Sequence, residues 1–317
     1  MQPPPIPSQP LQIVTVGGGK GGVGKSLVAL NLAASLAREG RKVVIADLDL
    51  GAANQHLLLG VRRPKFGLQY LLGDLDVDGE QCLDDTPVPG LRLLAGTAGT
   101  LGDANISDVQ REGLLRKLRA LKADTIVIDV GAGVTYNALD FFDLGTCKLI
   151  VTTPQVTALH DAYAFLKSAM LRLLHNNIES SIEEALLEPA LRNSNADKKV
   201  VDILARLREI RPELADKVFG KICGFGVCMV GNQAVRASHL PIFQAVAQTM
   251  HDYLGVKVPL LACIPTSTKL HASVNNRRPL AMDPQTNDAA LFRDLAHAVM
   301  GSLSRGGRAQ TSAAAAG

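Results

Sequence analysis

The chain has 317 residues, of which 47% are hydrophobic and 20% charged, and 33 Lys+Arg against 30 Asp+Glu leave a formal net charge of +3. Such a profile belongs to a folded globular protein of one large or about two average domains, and it excludes global disorder and whole-surface attraction to nucleic acid or anionic membrane. No apolar run approaches the roughly 18 residues needed to cross a bilayer, and residues 1–10 carry neither a basic n-region nor an apolar h-region, so a cytoplasmic protein is expected.

Residues 1–10 contain five prolines and are read as a disordered arm. Residues 11–16 form a β-rich apolar run that ends in three glycines, and residues 27–37 follow with helical apolar spacing until Gly40 supplies a stop. A second strand over 42–46 runs into Asp47-Leu48-Asp49. Strand 91–95, helix 107–122 and strands 125–129, 148–153, 221–230 and 259–264 come next, with helices between most of them. This alternation predicts a doubly wound α/β domain over 11–304, a mostly parallel sheet flanked by helices. After a helix over 155–175, the segment 177–220 is rich in Glu, Lys, Arg and Leu and is broken by Pro189 and Pro212, which predicts a helical insertion of two or three short helices. Within it, Ile178, Ile182, Leu186 and Leu187 alternate with Glu179, Glu183, Glu184 and Glu188. The last helix, 287–304, carries Leu291, Phe292, Leu295, Val299 and Leu303 on one face, and the Gly/Ala-rich stretch 305–317 is read as a disordered tail.

The five cysteines, Cys82, Cys147, Cys223, Cys228 and Cys263, include no Cys-x-x-Cys pair, so they are read as reduced, mostly buried thiols. The histidines are scattered and suggest no metal cluster.

Gly19-Lys20-Gly21-Gly22-Val23-Gly24-Lys25-Ser26 fits G-x-x-x-x-G-K-[ST] and stands between a predicted strand and a predicted helix. In that context glycines let backbone N–H groups curl around phosphate oxygens, the helix presents its positive N-terminus, Lys25 reaches the β- and γ-phosphates, and Ser26 ligates Mg²⁺. Asp49 and Asp129 stand at the ends of two further strands, and Asp129 is followed by Val130-Gly131-Ala132-Gly133. The motif therefore points to a nucleoside triphosphate with Mg²⁺, which the resemblance below makes ATP.

The lysine at position 20 makes the loop resemble the deviant Walker A group, the MinD, ParA and Mrp ATPases, whose K-G-G-x-G-K-[ST] carries an extra lysine there. The resemblance implies a P-loop NTPase fold in which Lys20 crosses a dimer interface to the partner's nucleotide and acts catalytically with Lys25 and Asp49. It implies that Asp49 orients the attacking water, and that Ser26, Asp49 and Asp129 serve the magnesium. It implies nucleotide contacts from Gly21, Gly22, Val23, Gly24, Lys25, Ser26, Leu27, Gly133, Asn232 and Pro265, with Asn232 reading adenine through its amide. Val151-Thr152-Thr153-Pro154-Gln155-Val156-Thr157, with Asp161-Ala162-Tyr163, resembles the FlhG (FleN) branch that controls flagellar number and placement, as does Asp47-Leu48-Asp49-Leu50-Gly51 with Asn54. Gln155 stands where that branch has Glu, and residues 1–10 lack its D-Q-A-x-x-L-R activator motif.

The resemblance thus implies a Mg²⁺-ATP-dependent ATPase that is a homodimer when ATP-bound, slow unless a protein partner or activator stimulates it, and used as a switch in intracellular positioning or number control. The alternative is a ParA-like partition ATPase that binds DNA non-specifically. Arg62-Arg63-Pro64-Lys65 and Arg277-Arg278 could touch phosphates, although each reads by itself as a solvated loop. Membrane association is weakly supported, because the end of the chain is too polar to insert and helix 287–304 reads as core-packing.

Overall fold

The computed structural model describes residues 11–64, 66–73, 77–96, 106–177, 199–235, 238–283 and 285–314. In chain order these form β1 (Gln12–Gly17), α1 (Lys25–Arg38), β2 (Val43–Leu48), α2 (Gln55–Leu58), α3 (Leu68–Leu72), β3 (Leu83–Asp85), β4 (Leu91–Leu94), α4 (Asp108–Arg119), β5 (Thr125–Val130), α5 (Tyr136–Asp143) and β6 (Cys147–Thr152). They continue with α6 (Val156–His175), α7 (Val200–Ile210), α8 (Pro212–Cys223), β7 (Val227–Ala234), α9 (His239–Leu254), β8 (Leu260–Pro265), α10 (Thr268–Asn275) and α11 (Asn287–Ala314).

The strands form one eight-stranded sheet in the order β3-β4-β2-β5-β1-β6-β7-β8, parallel except for the antiparallel pair β3 and β4. The expected doubly wound α/β architecture is the one observed. Strand periodicity divides its core: Val14, Val16, Val43, Ile45, Val127 and Leu149 face α1 and α11. Ile13, Val44, Ala46, Ile126 and Ile128 face α3, α4 and α5 on the other side. On that second side, Ile150, Val227 and Met229 pack against α6 to α9, where Phe142 and Phe165 meet edge to face with ring centroids 5.0 Å apart.

Three local expectations change. The strand predicted over 221–230 begins at Val227, because Lys221, Ile222 and Cys223 complete α8 and Gly226 turns the chain at φ +68°. The edge strand β3 has only three residues, too few for a period-2 signal. Helix α11 continues past Ser304 to Ala314, through a stretch read as a tail, and alanine, the best helix former, is common there.

The arm 1–10 and the Ile178–Glu188 pattern lie outside the described residues. The described part of the predicted insertion, α7 and α8, buries Val200, Ile203, Leu204, Leu207, Leu214 and Val218 in the same cluster as α6 and α9. Cys82, Cys147 and Cys228 are buried, Cys263 is half-buried, Cys223 is exposed, and none of the five is in a disulfide. No helix among the described residues is long and apolar enough to cross a membrane.

Candidate functional site: a phosphate loop with two buried carboxylates

The site lies at the C-terminal ends of β1, β2 and β5, where open parallel sheets receive ligands. Between β1 and α1 the loop is held by close backbone approach. A Cβ at Gly19 would sit 2.0 Å from the Asp161 carbonyl oxygen, so no other residue fits. Gly24 adopts φ +92°, and a Cβ there would meet Asn232 Nδ2 at 2.2 Å. Gly21 and Gly22 form the exposed lip, with nothing within 4 Å of their ideal Cβ positions.

Lys25 is buried, and its ammonium donates to the Lys20 carbonyl at 3.1 Å. Burial lowers its pKa, while the charges of Asp129 and Asp49 oppose that shift. Lys20 lies at the rim, and its Nζ donates to Thr157 Oγ1 at 2.9 Å on the first turn of α6.

The two strand-end carboxylates are in register. Asp47 pairs with Asp129 across β2 and β5, so both side chains project to the α1 side. Asp129 is 1% exposed; its Oδ2 accepts from Gln55 Nε2 at 2.8 Å, and its Oδ1 is buried without a partner. Burial, reinforced by the Asp47 charge, raises its pKa to about 7 against hydrogen bonds from Gln55 and Ser26 and the charge of Lys25. Asp47 is likewise pushed up to about 6 by burial, although it accepts from the backbone N–H groups of Asn54 at 2.8 Å, Gln55 at 2.9 Å and Asp49 at 3.2 Å. Asp47 is thus the anchor of the loop that carries Asp49. Asp49 is half-buried, and its Oδ1 accepts from Gly51 and Ala52 N–H at 3.3 and 3.1 Å and lies 3.1 Å from the ideal Cβ position of Gly131.

These residues fit a divalent cation. The buried Oδ1 of Asp129 lacks a donor, and the Ser26 hydroxyl adjoins the same carboxylate. Mg²⁺ keeps several waters and takes one or two carboxylates plus phosphate oxygens, and the Asp129 carboxylate with the Ser26 hydroxyl beside it matches that donor chemistry.

Of the other expected contacts, Leu27 packs on the α1-side core, Gly133 has φ +90° beside Asp49's neighbour Gly131, and Pro265 pairs with Ala234 at the end of β8. Asn232 is 2% exposed and is packed beneath the phosphate loop: its Nδ2 donates to the Val23 carbonyl at 2.8 Å, and its Oδ1 is buried without a partner. Gln55 was not singled out from sequence. It lies on a four-residue helix too short for a periodic signal, and its partner Asp129 is distant in the chain.

Residues 14–280 match the model of the CobQ/CobB/MinD/ParA nucleotide-binding domain. The chain belongs to this family. The flagellum site-determining protein YlxH of Helicobacter pylori is 37% identical over 163 residues, covering 49% of this chain and 53% of its own. The antiactivator FleN of Pseudomonas aeruginosa is 36% identical over 163 residues, covering 50% and 56%. The chain therefore spans about half the length of these curated relatives. Among solved structures, the cell division ATPase MinD of Pyrococcus furiosus superposes with a TM-score of 0.62 at 22% identity, over 91% of this chain and 98% of that one. MinD of Pyrococcus horikoshii, complexed with Mg-ADP, gives 0.61 at 23% identity over 90% and 94%. At these identities the likeness of the MinD structures is one of fold.

Proposed function

We propose that this MinD/ParA-family chain is a Mg²⁺-ATP-dependent ATPase that dimerises on ATP, hydrolyses it slowly until a protein partner stimulates it, and serves as a switch in cytoplasmic positioning or number control. The observation that carries the reading is the convergence of Lys25, Ser26 and Asp129, whose Oδ1 is buried without a partner, beneath the glycine loop, with Lys20 at its rim. Lys25 holds phosphate oxygens. When bound, Mg²⁺ neutralises charge on the β- and γ-phosphates. Ser26 and Asp129 hold that ion, Asp49 orients the attacking water, and Lys20 reaches the nucleotide of a second copy and stabilises charge there in the manner of an arginine finger.

The relative named for flagellum site determination supports the positioning task. The test separates binding from turnover. Lys25→Ala should abolish ATP binding, whereas Asp49→Ala should keep it, lose hydrolysis and accumulate as a dimer in ATP but not ADP. Equal loss of nucleotide affinity in both variants would remove Asp49 from catalysis.

One observation favours the second reading, a partition ATPase on DNA. The ideal Cβ position of Gly60 lies 3.6 Å from the Arg277 Cβ, so the loop with Arg62 and Arg63 abuts the loop with Arg277 and Arg278. All four arginines are exposed, and among the described residues none is ion-paired. Two doublets that read singly as solvated loops thus stand on neighbouring loops. Binding of random duplex DNA through four phosphate contacts would fall with salt at a log-log slope of about −3.6. Binding unaffected by changing all four arginines to glutamate would reject this reading.

A further inference from the structure

Gln55 is wholly buried at the start of α2 and joins three parts of the site. Its backbone N–H donates to Asp47 Oδ2 at 2.9 Å, and its side-chain Nε2 donates to Asp129 Oδ2 at 2.8 Å and to the Ser26 carbonyl at 3.0 Å. Those two side-chain bonds fix the carboxamide's orientation, because a flipped amide would set Oε1 against the Ser26 carbonyl and the Asp129 carboxylate. Both amide hydrogens are then used, and two oxygens of the network, Gln55 Oε1 and Asp129 Oδ1, are buried with no hydrogen-bond partner. Buried polar atoms are nearly always satisfied, so a pair of orphaned acceptors in one network marks a place built for donors that arrive with a ligand.

We propose that Gln55 is a positioning residue for the divalent cation. It holds Asp129 by one oxygen so that the other serves the water around the ion, and it offers its own Oε1 as a further acceptor to that hydration shell. Mg²⁺ gives up its waters reluctantly, so acceptors outside the inner coordination sphere share in holding it. The same residue begins α2, whose first N–H groups hang from Asp47, so occupancy by the cation is passed to the loop bearing Asp49. The inference rests on the ATPase reading and adds to it a residue that neither the G-K-S motif nor the strand-end carboxylates include.

The test uses the full chain, a fluorescent ADP analogue, and binding measured in EDTA and across a magnesium titration. Gln55→Leu and the nearly isosteric Gln55→Met, which retains volume if the leucine variant fails to fold, are compared with the unsubstituted chain. The expected result is affinity in EDTA within about twofold of the original and a magnesium midpoint raised by about tenfold or more, the usual effect of removing an outer-sphere partner. An unchanged midpoint overturns the proposal. So does an equal loss with and without magnesium, which is what a merely structural role produces. If the unsubstituted chain binds the analogue without regard to magnesium, the ATPase reading itself falls, and this inference falls with it.

Discussion

Lys20 and Thr157 are tied together across the mouth of the phosphate loop, the lysine ammonium donating to the threonine hydroxyl oxygen at 2.9 Å. In this position Lys20 is parked on its own α6, and reaching a second copy's nucleotide means giving up that bond. Such a bond contributes about 0.5–1.5 kcal/mol net.

Thr157→Val is accordingly expected to tighten the ATP-dependent dimer about two- to tenfold, since only the parked arrangement loses an interaction. Lys20→Ala should bind ATP normally and remain monomeric. Sedimentation with ATP and ADP checks both, and a Lys20→Ala variant that still dimerises on ATP would take this lysine out of the interface.

Asn232 is expected to have two tasks. Its Nδ2 supports the loop at Val23, and its Oδ1, buried beneath the loop without a partner, would have to be uncovered to accept from the exocyclic amine of adenine. Asn232→Ala should weaken ATP binding about tenfold, the size of one well-placed hydrogen bond, and erase any preference over GTP. A uniform loss for both nucleotides, measured by competition, would leave Asn232 as loop support alone.

The buried carboxylates set a pH dependence. Asp129, raised to about 7, and Asp47, raised to about 6, bind protons in the folded state that the unfolded chain has already released near pH 4. Between those values the folded state holds more protons, so the contribution of this pair to stability falls as pH rises. The ligand-free chain should lose, from this pair, on the order of a few kcal/mol between pH 4.5 and pH 8. Asp129→Asn, which keeps an acceptor for Gln55, should flatten part of that slope. Thermal unfolding in EDTA across pH is the measurement. Magnesium-dependent nucleotide binding should run the other way, strengthening as Asp129 ionises, and an acid-favoured affinity would contradict its role.

Lys148 offers a control far from the chemistry. It is buried near the opposite end of β6, and its ammonium donates to the carbonyls of Gly145 at 2.7 Å and Phe225 at 2.9 Å while lying 4.2 Å from the Phe225 ring centroid. Lys148→Met strands both carbonyls and should cost about 1–3 kcal/mol of stability with no change in nucleotide affinity. Urea denaturation and nucleotide titration on the same sample test the two halves of that statement.

The phosphate loop was legible because its chemistry is local: glycines, lysine and serine must stand at fixed spacing between a strand and a helix. Asp49 and Asp129 were visible as strand ends, and Asp47 only as part of the same Asp-Leu-Asp run, since alternation of element types implies a parallel sheet and its C-terminal edge. Their division of labour was not. That Asp47 anchors the loop bearing Asp49 while Asp49 is left half-buried depends on backbone N–H groups several residues onward. Gln55 and the pairing of Arg62-Arg63 with Arg277-Arg278 depend on contacts between distant segments, where periodicity and propensity have nothing to say. The strand expected from residue 221 failed for the same reason, as burial of Ile222 against α6 and α9 favoured the helix.

The in-register pairing of Asp47 with Asp129 reaches beyond catalysis. Successive side chains of a strand point to opposite faces, so if β2 slipped by one residue against β5, Asp47 would be turned into the apolar layer under α3 and α4 and its alignment with Asp129 would be lost. On the ATPase reading, a molecule that holds nucleotide is therefore one whose two central strands have zipped in the right frame.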